Sequence, residues 1–150
     1  MIRAVLDTNT LVSAVINITS SVASEVYQNA RKKSFLLITS PLILAEIDEV
    51  LHRPKVIKAH QRSLKELQEI ISQLAGVSYL VPDKTGIEVV RDPDDNKIIA
   101  AAAYGRADYI ITRDKDLLDL KGYEKIEIIT PEKFMEILRA KHQRSSISQS

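Results

Sequence analysis

Ile2-Arg3-Ala4-Val5-Leu6-Asp7-Thr8-Asn9 decides the fold class. The run is apolar apart from Arg3 and stops at an acid. Phe35 to Ile38 and Tyr109 to Ile111 are runs of the same kind, and Ile126 to Ile129 is another, interrupted by Glu127. Strict alternation marks a strand with one wet face, whereas short continuous apolar runs belong to strands buried on both faces. Such strands need helices on either side of the sheet.

The intervening sequence supplies those helices. Ser20 or Ser21 caps one that reaches about Lys33, since a hydroxyl there accepts from the free N–H groups of the first turn. Ser40 caps the next, with Pro41 at its first position, and that helix ends near Leu51, before Arg53-Pro54. Leu64, Leu67, Ile70, Ile71 and Leu74 share a helix face that Gly76 closes. Asn96 to Tyr104 is Ala-rich and ends at Gly105, and Thr130-Pro131 opens a last helix carrying Phe134, Ile137 and Leu138. Strands alternating with helices imply βαβ units and a parallel sheet, so the class is α/β. The helices between Pro41 and Leu74 have no strand between them and form a local helical arm. Residues 1–140 read as one domain. Residues 141–150, with four serines and no acid, read as a flexible, weakly basic tail.

Composition narrows the chemistry. A chain of 150 residues buries roughly 70% of its unfolded surface and needs no staples. It has no cysteine, which excludes disulfides, Cys-bound zinc and a thiol nucleophile. The net charge of +1 removes any global electrostatic argument for nucleic acid. The first apolar run is too short for a leader or a membrane span, so the expected location is the cytoplasm, with no membrane partner.

Four segments carry acids in unusual places. Asp7 ends the first strand, where α/β sheets gather their ligands, although a helix cap is the plainer role. Glu46 falls within the angular span of Leu42, Val50, Ile43, Ile47 and Leu51, inside the apolar stripe of its helix. The same position suits a snorkelling Glu at the stripe's edge, or one salt-bridged to an Arg. Asp95 stands three, four and seven residues before Ile98, Ile99 and Ala102, so it begins an apolar face; Asp92 and Asp94 are natural caps. Asp114 and Asp116 follow the strand Tyr109 to Ile111. Acids gathered at one edge repel one another, and a hard cation such as Mg²⁺ or Mn²⁺ relieves this. Two such ions roughly 4 Å apart are the usual device for phosphodiester hydrolysis. His52, His60 and His142 lack zinc-ligand spacing.

Val5-Leu6-Asp7-Thr8-Asn9, Ser40 to Glu46, Asp92-Pro93-Asp94-Asp95-Asn96-Lys97, Ala107-Asp108-Tyr109-Ile110-Ile111-Thr112-Arg113-Asp114 and Ile129-Thr130-Pro131-Glu132-Lys133-Phe134 resemble, in order and spacing, the PIN-domain family. The resemblance covers about residues 1 to 140. It looks most like the single-domain prokaryotic branch of toxin components of toxin–antitoxin pairs. It implies a metal-dependent endoribonuclease on a three-layer α/β/α, Rossmann-like fold with a central, mostly parallel sheet. Asp7, Glu46 and Asp95 match three acids of the family and Asp114 a fourth, as metal ligands and catalytic residues. Asn9 and Thr112 match polar positions beside them. Asp116 is an extra acid that would support a second metal, unranked against Asp114. The resemblance further implies a homodimer and a cognate antitoxin.

RNA would need cations. Arg53, Lys55, Lys58, Arg62 and Lys65 lie in an acid-free stretch after Glu46, with Arg53, Lys55, Lys58 and Arg62 as the expected phosphate contacts. No aromatic is interleaved with them, so base stacking has no support. Two other readings compete: a non-catalytic RNA-binding or scaffold domain on this fold, and a phosphatase with Asp7 as nucleophile. The second needs an acid two residues on, where this chain has Asn9.

Overall fold

The computed structural model describes residues 1–16, 21–83 and 93–148, with side chains at 1–16, 21–83 and 96–144. Ser20 and Asp92, two of the cap candidates, lie outside the described residues, as do the side chains of Asp94 and Asp95.

Strands β1 (Arg3–Leu6), β2 (Leu36–Thr39), β3 (Tyr79–Leu80), β4 (Tyr109–Ile111), β5 (Gly122–Tyr123) and β6 (Ile126–Ile129) form one sheet in the order β3-β2-β1-β4-β6-β5. Only β5 runs antiparallel, against β6. The helices among the described residues are α1 (Thr8–Ile16), α2 (Val22–Arg31), α3 (Pro41–Leu51), α4 (Pro54–His60), α5 (Leu64–Val77), α6 (Pro93–Tyr104), α7 (Lys115–Leu120) and α8 (Pro131–Ser148). The chain steps outward from β1 to β2 and β3, then returns past β1 to β4. Right-handed crossovers therefore place α1 to α5 on one face and α6 and α7 on the other. The order reverses between β1 and β4, the place where open α/β sheets form a crevice outside the carboxyl ends of their strands.

Local chemistry explains the boundaries. Ser21 is the hydroxyl that caps α2, accepting from Ser24 N–H. Ser40 caps α3 with Pro41 behind it. Ser63 and Glu66 form a reciprocal capping box on α5. Gly76 does not close α5, which continues to Val77; Ser78 ends it, its Oγ donating to the Leu74 carbonyl at 2.7 Å. Helix α8 runs to Ser148, so the backbone stays helical across much of the segment read as a tail. Strands β3 and β5 escape a pattern search because each has two residues.

Arg3, the one charge in the first run, ties β1 to the turn before β4. Its backbone N–H donates to Asp108 Oδ2 at 2.8 Å, and its Nε donates to the Gly105 carbonyl at 2.9 Å. Gly105 itself is required by close approach. A Cβ there would lie 2.9 Å from Ile38 Cγ2 and 3.1 Å from the Ala101 carbonyl oxygen, so any side chain at this end of α6 would have to push Ile38 of β2 aside. On the opposite face, Phe35 and Phe134 meet edge to face at 4.8 Å, with Tyr109 beside Phe134. These rings fix α8 onto the sheet with a large apolar area.

Candidate active site

The crevice between β1 and β4 holds the most buried acid among the described residues. Asp7, 6% exposed, follows β1 directly. Its Oδ1 accepts from Thr10 N–H at 3.0 Å, and so it does cap α1. Its Oδ2 accepts from the Thr112 hydroxyl at 2.6 Å. That same Thr112 oxygen accepts from Asp114 N–H at 2.8 Å. One buried hydroxyl thus fixes the carboxylate at the end of β1 and the backbone beyond β4. Burial pushes the Asp7 carboxyl above the usual carboxylate range, and the charge of Asp114 adds to this; the donors at Thr10 and Thr112 oppose it.

Asp114 caps α7, its Oδ1 accepting from Asp116 N–H at 2.8 Å. It is half-buried and near enough to Asp7 to act on its charge, whereas Asp116 is exposed. This ranks Asp114 ahead of Asp116 at the crevice. The loop that carries it is anchored from outside. Arg113 holds Glu132, at the start of α8, with two parallel bonds, one of them 2.9 Å, and keeps the Glu132 carboxyl below its ordinary range.

Glu46 lies differently from the sequence expectation. Ile43, Ile47 and Leu51 are fully buried, but Leu42 is 52% exposed, so the stripe is centred one step round the helix and Glu46 sits at its edge. Its counter-ion is Lys97 of α6, where an Arg was the alternative. The side chains of this pair are 23% and 12% exposed. Helix α3 packs against α6, and α6 against β1, so the pair bridges the two helix layers.

Asp95 lies in the first turns of α6, two residues before Lys97, with its side chain outside the described residues. Asn9 is exposed on the first turn of α1. The structure therefore brings together Asp7, Thr112 and Asp114, and separately Glu46 and Lys97. Among the described residues no three acids or histidines stand close enough to hold a metal ion. Their chemistry still suits a hard cation. The donors are carboxylate oxygens, two acids crowd the crevice, and an ammonium already occupies Glu46. Sequence reading missed Thr10 and Lys97. Thr10 acts through its backbone, which no side-chain pattern reports. Lys97 stands in the quoted Asp95-Asn96-Lys97 run, but helical spacing cannot say that it reaches another helix. The hydroxyls of Thr8, which opens α1, and Thr39, which ends β2, are buried with no hydrogen-bond partner among the described residues.

The expected RNA contacts separate. Lys55 and Lys58 are exposed on α4, and Arg53 is exposed and paired with Glu49 at 3.1 Å. Arg62 is revised. It turns inward and donates to the carbonyls of Val15 and Ile16 at 3.2 and 2.7 Å, because those carbonyls end α1 and need donors.

The PIN domain family matches residues 3–116, across the crevice and all four candidate acids. The chain belongs to the PIN domain family. PIN domains are generally nucleases that use divalent metal ions. An uncharacterised protein of Methanocaldococcus jannaschii is 32% identical over 143 residues, which is 90% of either chain. Among solved structures, VapBC2 from Rickettsia felis, bound to a DNA fragment from its promoter, superposes with a TM-score of 0.57. That match has 13% identity and covers 86% of this chain and 98% of the other, so it speaks to fold. Among the described residues no helix of this PIN domain is long and apolar enough to cross a membrane.

Proposed function

We propose that this PIN domain is a metal-dependent endoribonuclease, the toxin of a toxin–antitoxin pair, acting as a homodimer. One observation carries the reading: a buried carboxylate, Asp7, stands at the strand-order reversal, tied through Thr112 to the loop of a second acid, Asp114. Asp7, Glu46, Asp95 and Asp114 would hold Mg²⁺ or Mn²⁺, with Asp116 nearby. When bound, the ion supplies a nucleophilic water at neutral pH and charge to stabilise the attacked phosphate. Hydrolysis joins the water oxygen to phosphorus, and the ester oxygen leaves and takes up a proton.

The protein's own part is positioning. Thr112 orients Asp7, and the Arg113–Glu132 pair holds the loop that presents Asp114. Lys55, Lys58 and Arg53 would hold the RNA backbone as salt-sensitive contacts. The fold likeness to VapBC2 supports an antitoxin partner for this chain. One observation favours the non-catalytic reading: Glu46 is already satisfied by Lys97. An aspartyl phosphatase loses ground because Asn9 holds the position of the second acid and is exposed.

The deciding experiment incubates a mixed pool of structured and single-stranded RNA with wild type and Asp95→Asn, in Mn²⁺, Mg²⁺ or chelator. Metal-dependent cleavage that disappears in the variant is expected. A folded wild type that neither cleaves nor binds metal overturns the proposal in favour of the non-catalytic domain.

A further inference from the structure

The Glu46–Lys97 ion pair stands where the proposed reading needs a metal-binding carboxylate. The pair links α3 to α6, and Lys97 follows Asp95 by two residues on the same helix. Lys97 also lines a narrow cleft with Ser40, Leu42 and Asp83 on the α3 side. Its side chain is 12% exposed, which is unusual for a lysine, and a chain folds a lysine inward only against a compensating charge. On the surface, such a pair would be decorative. Here the carboxylate is one of four proposed metal ligands, so the ammonium and a divalent ion compete for the same oxygens.

We propose that Lys97 is an internal placeholder cation: it holds Glu46 in place in the metal-free protein and must give up that carboxylate when a divalent ion loads. The inference rests on the nuclease reading. It assigns Lys97 a positioning role and gives the site a built-in threshold for metal. Without an ion, Glu46 is neither free to swing away nor left uncompensated in its half-buried place. With an ion, the ammonium yields because two positive charges oppose one. The cost of separating the pair lowers the apparent metal affinity of the wild type. Removing the ammonium removes both that cost and its repulsion of the incoming ion.

The experiment is a calorimetric Mn²⁺ titration of wild type, Lys97→Met and Glu46→Gln, with thermal melts in chelator to establish folding. Lys97→Met is expected to bind Mn²⁺ on the order of tenfold more tightly, the size of one unit charge acting on a divalent ion across a partly wet site. Glu46→Gln is expected to bind it more weakly. Half-saturation of RNA cleavage should move to lower Mn²⁺ in Lys97→Met. A folded Lys97→Met with unchanged or weaker Mn²⁺ affinity, beside a wild type that binds Mn²⁺, overturns the placeholder and leaves the nuclease standing. A wild type that binds no Mn²⁺ overturns both. Should Lys97→Met fail to fold, the wild type still decides: the side-chain ¹⁵Nζ resonance of Lys97 is expected to shift on adding Mg²⁺, and a resonance that stays fixed refutes the displacement.

Discussion

Asp7 and Glu46 are two acids of one proposed site, and the fold treats them in opposite ways. Asp7 is buried and is met by neutral donors, the N–H of Thr10 and the hydroxyl of Thr112. Glu46 is half-buried and is met by a full charge. Dipoles orient a carboxylate without neutralising it, so Asp7 retains its desolvation penalty and its carboxyl is pushed upward. An ammonium cancels the charge but competes with any other cation. One acid wants a cation, and the other already has one.

The largest effect that would break this contrast is on cleavage. Asp7→Asn and Glu46→Gln are each expected to lower RNA cleavage about a thousandfold, the scale seen when one charged or polar group stabilising the transition state is removed. Single-turnover rates in Mn²⁺ measure it. Loss in one variant only would mean that the two acids do not serve one centre.

Stability should then split the pair by sign. The folded chain binds the Asp7 proton more tightly than the unfolded chain does. The stability linked to Asp7 is therefore complete below the unfolded carboxylate range and is lost as pH rises through the higher folded value. In chelator at neutral pH, Asp7→Asn should raise Tm by removing a penalised charge. Glu46→Gln should lower stability by about 1–3 kcal/mol, because it takes a charged partner from the inward Lys97 ammonium, discounted for partial exposure. Saturating Mn²⁺ should raise the wild type and not Asp7→Asn, since only a site that binds gains by linkage. Melting curves with and without chelator check all three, and equal shifts of one sign in both variants would erase the contrast.

Smaller effects sharpen it. Changing Lys55 and Lys58 together to Ala should weaken RNA binding several-fold and flatten its salt dependence by roughly 1.4 in the log–log slope, two single-strand phosphate contacts at about 0.7 each. Filter binding across a salt series reads this, and an unchanged slope would remove α4 from the RNA path. Smallest is Glu132→Gln, which loosens an exposed pair and should cost under about 1 kcal/mol. The Glu132 carboxyl is held low by Arg113, so its contribution is present above the unfolded carboxylate range and fades as pH falls through the folded value. A larger loss at neutral pH would give this loop anchor more weight than the crevice.

Much of this was legible in the chain. The apolar runs announce four of the strands because their period is clear. Ser40-Pro41 and Gly105 mark helix ends because their backbone chemistry is local. Asp7 and Asp114 were legible because a strand's end is a place in a topology. What escaped depends on distance in sequence. Arg62 reads as a free cation until α1's terminal carbonyls are placed beside it. Glu46 reads as core until Leu42 proves exposed, since an angular stripe has no origin until a neighbour supplies one. Lys97 is invisible as a partner because α3 and α6 are joined by the fold and not by the chain.

The sheet's two outer strands have a further consequence, for self-association. Among the described residues, β3 and β5 offer two residues each at the edges. A second copy seeking to continue the hydrogen-bonded ladder would find too little unpaired backbone to template a strand. Edges this short among the described residues disfavour edge-to-edge polymerisation and point a homodimer of this chain toward its helix faces.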